Sequence, residues 1–335
     1  MTKSLLQWSG KALLAGLLAL ALLCLFCVLY YNVPVHYANA DGSTEYKWEP
    51  SRFYSRGTEG FALGRTNNDG FNNLSDYTPG DPIDVLLMGS SHMEGFNTAQ
   101  RRNTAVILND RFAGEKYVYN IGTAGHTLLY CVKHLGAALD TYAPGQYVIL
   151  ETDTLSFAPA DMDAAVDGTL ADIPSHTGGL ITLMQKLPYL RLLYTKYLSG
   201  GGQAFGGGDA ARAAEAVSPA AYTQSLGSLL DRVAAESQAH GVTALVVYHP
   251  ALRLLADGTG AVDVDPAQLD VFRAQCELRG IVFVDVSARV QSAYDERAEL
   301  AYGFSNTAPG IGHINALGHR LIAEALYDAI TAQEG

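Results

Sequence analysis

Hydrophobic positions along the chain fall into three regimes. Residues Ala12 to Tyr31 run for about twenty positions without a charge, enough for a helix to cross a bilayer. From about Asn32 to Asp81 the sequence is polar, aromatic and rich in Gly, Asn and Pro, which predicts a stalk followed by irregular structure along a domain edge. Beyond that, short apolar runs alternate with amphipathic stretches. The runs 84–89, 117–122, 147–152, 244–249 and 281–286 have the length and bulk of strands buried on both faces. Helices are expected near 127–142, 219–240, 266–279 and 316–333; in the last, Leu317, Leu321, Ile322, Ala325 and Leu326 recur at helical spacing. Gly241 and Gly280 stand where helix-terminating glycines belong, just before two of the strands. The pattern predicts a three-layer α/β/α sandwich around a mainly parallel five-stranded sheet, spanning 81–335. An insertion at about 158–218 breaks the rhythm, with one helix over 180–198 and a glycine-rich segment from Gly200 to Gly208. It reads as a flexible surface insertion or as a lid.

The flanks of the apolar run assign its orientation. Lys3 and Lys11 precede it, while Asp41 and Glu45 follow. The positive-inside bias keeps residues 1–11 cytoplasmic, makes 12–31 a signal anchor and exports the rest. The alternative is a signal peptide cleaved near Ala38-Asn39-Ala40, which lies far beyond the apolar run. A composition of 48% hydrophobic and 17% charged residues is that of a globular protein. The net charge of −12 argues against nucleic acid or an anionic lipid surface as partner. Cys24 and Cys27 lie in the apolar run; Cys131 and Cys276 read as buried thiols, a disulfide between them being the alternative. No spacing such as CxxC or HExxH points to a metal, and no cofactor is implied.

The chemistry concentrates in DVLLMGSSHMEGF, Asp84 to Phe96. An apolar strand ends in a glycine turn, and Ser91 sits where strand gives way to helix, at the edge where open α/β sheets place their ligands. A serine hydroxyl needs a histidine to take its proton and donors to hold the oxyanion. His313 lies in the loop before the last helix, PGIGHINALGH, which opens onto the same edge. His319 falls inside that helix and reads as structural; His249 ends a strand, and His92 and His126 lie near the serine in sequence. Glu94 reads as a first-turn helix residue favoured by the dipole. Tyr46, Trp48, Phe53 and Tyr54 read as edge packing.

These segments together resemble the SGNH hydrolases, the GDSL-type serine esterase and acyltransferase superfamily. GSSHMEG, Gly89 to Gly95, is similar to the family's GDSxxxG block and puts Ser91 on the nucleophile, with Ser90 in place of the aspartate. YNIGTAGHT resembles the second block, whose glycine N–H enters the oxyanion hole; Gly125 takes that position. GIGHINALGH reproduces HxNxxGH and puts the catalytic histidine at His313. NNDGF resembles segments that precede the first block in surface-polysaccharide members. Two departures stand out. Asp153, in ETDT, occupies the place of the oxyanion-hole asparagine, and an ionised carboxylate cannot donate. Gly310 stands where the triad aspartate belongs; a backbone carbonyl of the glycine-rich turn, or Asp153 itself, could partner His313 instead. The resemblance implies a membrane-anchored, extracytoplasmic serine esterase or O-acyltransferase with Ser91 and His313 as nucleophile and base. Its oxyanion hole would draw on Ser91, Gly125 and, at the usual asparagine position, Asp153. Acetyl esters of a cell-envelope or extracellular glycan are the expected substrates. The competing reading is a weakened domain that binds glycan or assists assembly beside a membrane-bound acyltransferase.

Overall fold

The structure, a computed structural model, describes residues 2–33, 36–37, 47–171, 187–193 and 218–335. Its centre is a five-stranded sheet of β6 (Val85–Met88), β7 (Val118–Asn120), β8 (Tyr147–Thr152), β9 (Thr243–Tyr248) and β12 (Val282–Asp285). The order is β12-β9-β8-β6-β7 and every pairing is parallel. The five apolar runs of the sequence therefore form one sheet, as the pattern predicts.

Alternation within each run explains why the strands are apolar throughout. Leu86, Met88, Val148, Leu150, Val246 and Tyr248 face one layer. That layer holds α4 (Leu128–Lys133), α5 (Leu135–Tyr142), α6 (Pro159–Val166), α8 (Pro219–Ala239) and α9 (Pro266–Glu277). Val85, Leu87, Ile149, Leu245 and Val247 face the other. There they meet α3 (Thr104–Phe112), α10 (Ser287–Arg297) and α11 (Ala316–Glu334). Each face buries its own set of aliphatic side chains, so neither can be polar. Cys131 and Cys276 are free thiols buried in the first layer.

Three details depart from the sequence expectation. The helix expected over 127–142 divides at His134 into α4 and α5. Gly136, just past the break, lies so close to the Glu236 carboxylate of α8 that a Cβ would stand 2.8 Å from it. Helices α3 and α10 were not legible, since α10 buries only Ser287, Val290 and Ala293 and carries too little apolar signal. A small antiparallel hairpin, β10 (Leu252–Leu254) with β11 (Gly260–Val262), also escaped the pattern. Of the helix expected over 180–198 only α7 (Pro188–Leu193) falls in the described residues, and Gly200 to Gly208 and Tyr46 lie outside them.

At the amino end, α1 (Thr2–Tyr30) contains a stretch, Leu6–Tyr30, long and apolar enough to cross a membrane. It runs into β1 (Tyr31–Asn32), which pairs antiparallel with β4 (Phe53–Arg56); β4 pairs in turn with β5 (Ala62–Arg65). Between them, β2 (His36–Tyr37) pairs with β3 (Lys47–Trp48). Trp48 and Tyr54 pack on the Phe96 ring at centroid distances of 5.5 and 4.2 Å, which fastens this edge to the segment carrying Ser91. Phe53 points outward instead.

Candidate active site

The turn after β6 is shaped by close approach. A Cβ on Gly89 would lie 2.6 Å from the Glu151 carboxylate, so the backbone passes where only glycine fits. The next two serines divide their duties. Ser90 is the N-cap of α2 (Ser91–Glu94), its side chain accepting from the His92 N–H at 3.3 Å. Ser91 Oγ is left to face His313, whose Nε2 lies 2.9 Å away. The structure thus brings together the two residues that the sequence nominated as nucleophile and base.

The partner of His313 comes from an unexpected place. Glu59, in the turn between β4 and β5, accepts from the His313 backbone N–H through Oε1 at 2.6 Å and meets Nδ1 through Oε2 at 2.7 Å. Neither a carbonyl of the 309–312 turn nor Asp153 takes this position. A glycine next to the histidine makes the approach feasible: at Gly312, with φ +108°, a Cβ would stand 2.2 Å from Glu59 Oε1. Asn306 holds the Glu59 turn from the opposite side. Its Nδ2 donates to the carbonyls of Gly57 and Gly60, and its Oδ1 accepts from the Gly60 N–H. Asn97 Nδ2 donates to Glu59 Oε2 at 3.2 Å.

This arrangement fixes a tautomer. With a carboxylate at Nδ1, the proton belongs there, and the Nε2 lone pair faces the serine hydroxyl. Burial would raise the Glu59 pKa, but its hydrogen bonds and charge interaction with His313 hold it below the ordinary value. Burial pushes His313 down from the ordinary imidazole value, against the opposing pull of Glu59. A neutral imidazole is the form that can act as base.

Donors for an oxyanion come from the backbone. Neither the Ser91 N–H nor the Gly125 N–H donates a hydrogen bond among the described residues. Gly125, at φ +88°, follows Ala124, whose N–H is held by Glu94 Oε1 at 2.9 Å. The same oxygen accepts from Trp48 Nε1 at 2.6 Å. Glu94 is thus more than a first-turn residue: it pins the Ala124–Gly125 loop and the edge segment to α2. Its Oε2 is buried with no hydrogen-bond partner among the described residues, and burial lifts its pKa to about 7 against the Ala124 hydrogen bond, Arg56 and Trp48.

A carboxyl whose folded pKa exceeds its unfolded value of 4.5 binds more protons when folded between 4.5 and about 7. Stability therefore falls as pH rises through that window, by about 3 kcal/mol in all, and is flat above it. Thermal unfolding is expected to show this decline in the parent and a shallower one in Glu94→Gln; identical pH profiles would refute the assignment.

Asp153 follows β8, whose Leu150 is paired with Met88 of β6, and so reaches the same edge as Ser91. It does not touch His313. Its Oδ2 pairs instead with His92 Nε2 at 3.3 Å, while His92 Nδ1 accepts from the Ile314 N–H at 3.3 Å. Burial opposes ionisation of Asp153, but the hydrogen bond and charge of His92 win and hold its carboxyl well below the usual range. An ionised carboxylate paired with His92 has no proton to donate to an oxyanion.

Three other histidines that the sequence singles out have contacts away from Ser91. His249 Nε2 pairs with Glu151 Oε1 at 2.7 Å and its Nδ1 with Tyr302 Oη at 2.6 Å. Glu151 Oε2 in turn accepts from the Ser90 N–H at 2.7 Å and so braces the turn that carries Ser91. His319 Nδ1 meets Thr104 Oγ1 at 3.0 Å inside the core, and burial pushes its pKa to about 3, as befits a structural residue. His126 stacks on Tyr130. Among the described residues no cluster of His, Cys, Asp and Glu could hold a metal ion.

No family model and no curated protein matches the chain. Solved structures do. An acetyl xylan esterase, AlAXEase, matches at 12% identity over 74% of this chain and 100% of its own, with a TM-score of 0.43. The psychrotrophic esterase EstA from Pseudoalteromonas sp. matches at 14% identity over 75% of this chain and 98% of its own, with a TM-score of 0.38. A member of the lipolytic G-D-S-L family from Veillonella parvula matches at 12% identity over 74% and 98%, with a TM-score of 0.39. These are structures to which the chain is similar; what its site can do rests on the geometry of Glu59, His313 and Ser91.

Proposed function

We propose that the chain is a serine esterase or O-acyltransferase of the SGNH/GDSL type, anchored in a membrane by α1 with its catalytic domain outside the cytoplasm. The observation that supports this reading above all is the continuous series Glu59–His313–Ser91, with contacts of 2.7 and 2.9 Å. Ser91 Oγ attacks the ester carbonyl carbon while His313 Nε2 takes its proton. The carbonyl oxygen becomes an oxyanion held by the Ser91 and Gly125 N–H groups. Collapse expels the alcohol, which leaves with the proton from His313, and the acyl group remains on Ser91. Water or an acceptor hydroxyl then loses its proton to His313 and attacks the acyl carbon, releasing Ser91. Glu59 stabilises the imidazolium formed in each half-reaction.

Hydrolysis and transfer use the same residues and differ in which acceptor reaches the acyl-enzyme. Acetyl groups on an envelope or extracellular glycan are the substrates we favour, on the sequence resemblance to surface-polysaccharide members. A membrane-bound acyltransferase would be a natural partner for such a domain. The reading of a weakened binding domain rested on the missing triad acid, and Glu59 supplies that acid; the ionised Asp153 is what remains in its favour. The test is turnover of p-nitrophenyl acetate by the purified full chain, with a burst of p-nitrophenol equal to the enzyme concentration when deacylation is slow. Absence of both burst and turnover would sink the proposal.

Asp153 offers a separate check. If its carboxylate stands beside the oxyanion as the sequence position implies, Asp153→Asn replaces an anion with a donor. Acylation by p-nitrophenyl acetate is then expected to rise by roughly tenfold, since one oxyanion donor is worth about 10²–10³ elsewhere. A fall in the rate would place Asp153 in a supporting role toward His92.

A further inference from the structure

Glu59 is presented by a turn that has the end of the apolar helix behind it. Helix α1 does not pass into a loose stalk: Tyr31 and Asn32 follow it directly as β1 and pair with Arg56 and Ser55 of β4. Ser55, fully buried, donates through Oγ to the Val28 carbonyl at 2.6 Å, in the last turn of the helix. Two residues on, Gly57 lies against Tyr30. A Cβ there would stand 2.6 Å from the Tyr30 carbonyl oxygen and 2.7 Å from Cδ2 of its ring. Helix α7 braces the junction from the side, with Arg191 donating to Asn32 Oδ1 and the Val33 carbonyl.

The other side of the same turn is held by the sandwich. The Gly57 and Gly60 carbonyls both accept from Asn306 Nδ2, at 2.9 and 3.1 Å. A Cβ on Gly60, at φ +71°, would meet the Asn97 carbonyl oxygen at 2.6 Å and the Phe304 ring at 2.7 Å. Residues 57–60 are thus gripped between the helix end and two loops, one following α2 and one preceding His313. Glu59 stands within that grip, two residues from the Tyr30 contact, and meets His313 with both of its oxygens. Close-packed groups pass on displacement instead of absorbing it. A shift of the helix end against the sandwich therefore has to be taken up in the turn that aims Glu59.

We infer that Ser55 and Gly57 are positioning residues for the relay, and that the end of the membrane-length helix is the support on which they place Glu59. The inference rests on Glu59 and His313 serving Ser91 as proposed above. Anchoring alone requires no contact between the helix and this turn. Here the helix end bears on the residues that aim the acid, which gives α1 a second task beside holding the chain to a membrane.

Gly57 makes the test sharp. Its φ lies outside the left-handed region, so alanine suits the backbone and the collision with Tyr30 is what the substitution adds. Turnover of p-nitrophenyl acetate, a soluble ester, is measured on the full chain in phosphatidylcholine vesicles. Gly57→Ala is expected to lower kcat by roughly 10- to 100-fold with KM little changed, since misplacement on the order of 1 Å suffices for such a loss. Tyr30→Ala, a substitution in the helix itself, is expected to cost roughly threefold. Parental kcat in either variant would overturn the inference.

The Glu59→Gln background separates positioning from general damage. There Gly57→Ala should cost at most about twofold more, because the group it misplaces is already disabled. A full further loss in that background would mean that Gly57 acts other than through Glu59, and the inference would fall. Leu63→Ser, exposed on the neighbouring strand β5, is expected to leave kcat unchanged. A loss there equal to that of Gly57→Ala would assign the effect to the hairpin at large, against the inference. If the parent turns over no ester and Ser91 takes no fluorophosphonate label, the esterase reading itself fails. Label and turnover in the parent, with the variants unaffected, refute this inference alone.

Discussion

Replacing Ser91 with alanine is expected to abolish covalent labelling of the chain by a fluorophosphonate and to lower ester turnover by about 10⁴-fold or more. The probe reports nucleophilicity and not binding, because it forms a phosphoryl bond only to an activated hydroxyl. Ser90 provides the internal control. It stands one residue away, yet its hydroxyl is engaged as the α2 cap, accepting from the His92 N–H. Ser90→Ala should therefore keep its label while losing some stability, about 1 kcal/mol for a lost cap. His313→Ala should lose label and turnover together, since its Nε2 is the group at 2.9 Å from Ser91 Oγ. Retention of label in Ser91→Ala would show that another residue carries the chemistry.

The second large effect is expected at Glu59. In Glu59→Gln the amide keeps an oxygen for the His313 backbone N–H but turns an NH₂ toward Nδ1. The imidazole must then accept at Nδ1, which moves its proton to Nε2, the side facing Ser91. A base with its proton on the wrong nitrogen costs about 10³–10⁴ in turnover. Because the geometry is retained, the melting temperature should move little, and that separates tautomer control from a folding defect. In the parent, burial holds His313 below the ordinary 6.5, so the base stays neutral and turnover persists as pH falls to 6.5. The acid limb of kcat/KM is expected below 6.5; a limb above it, or full activity in Glu59→Gln, would remove Glu59 from the relay.

The sequence disclosed the sheet and the two residues at its edge for different reasons. Strand runs such as 84–89 and 147–152 are buried on both faces, so their apolar character survives any tertiary context. Ser91 was legible because it follows such a strand and His313 because it precedes an amphipathic helix, each within a block that resembles a known family. Glu59 was not. Its signal is only an acid in a glycine-flanked turn, Gly57 to Gly60, inside a segment without strand or helix periodicity. The clue was negative: Gly310 vacates the usual place of the acid, and Gly312 leaves room for a carboxylate from outside. Helix α10 escaped because it is held by the Asp285 side chain accepting from the Ser287 N–H and by a narrow buried stripe, not by amphipathic contrast. Glu94 was legible as a helix residue but not as the group that holds Ala124, since that contact closes only in three dimensions.

On the proposed reading, the acid of the relay arrives on a separate hairpin, and activity becomes a measure of docking. Ser91 and His313 belong to the sandwich, whereas Glu59 is presented by the β4–β5 turn that Asn306 holds. Turnover is then expected to scale with the fraction of molecules in which that turn is seated. Once the seated state is no longer in excess, each further 1.4 kcal/mol lost from the seat costs about tenfold in rate. Such a loss would leave the melting of the sandwich almost untouched, because the core on either face of the sheet does not pass through the hairpin. Substitutions at Asn306 or Asn97, neither of which meets the reacting atoms, would then set the rate as a dial sets a current, by changing how often the circuit is closed.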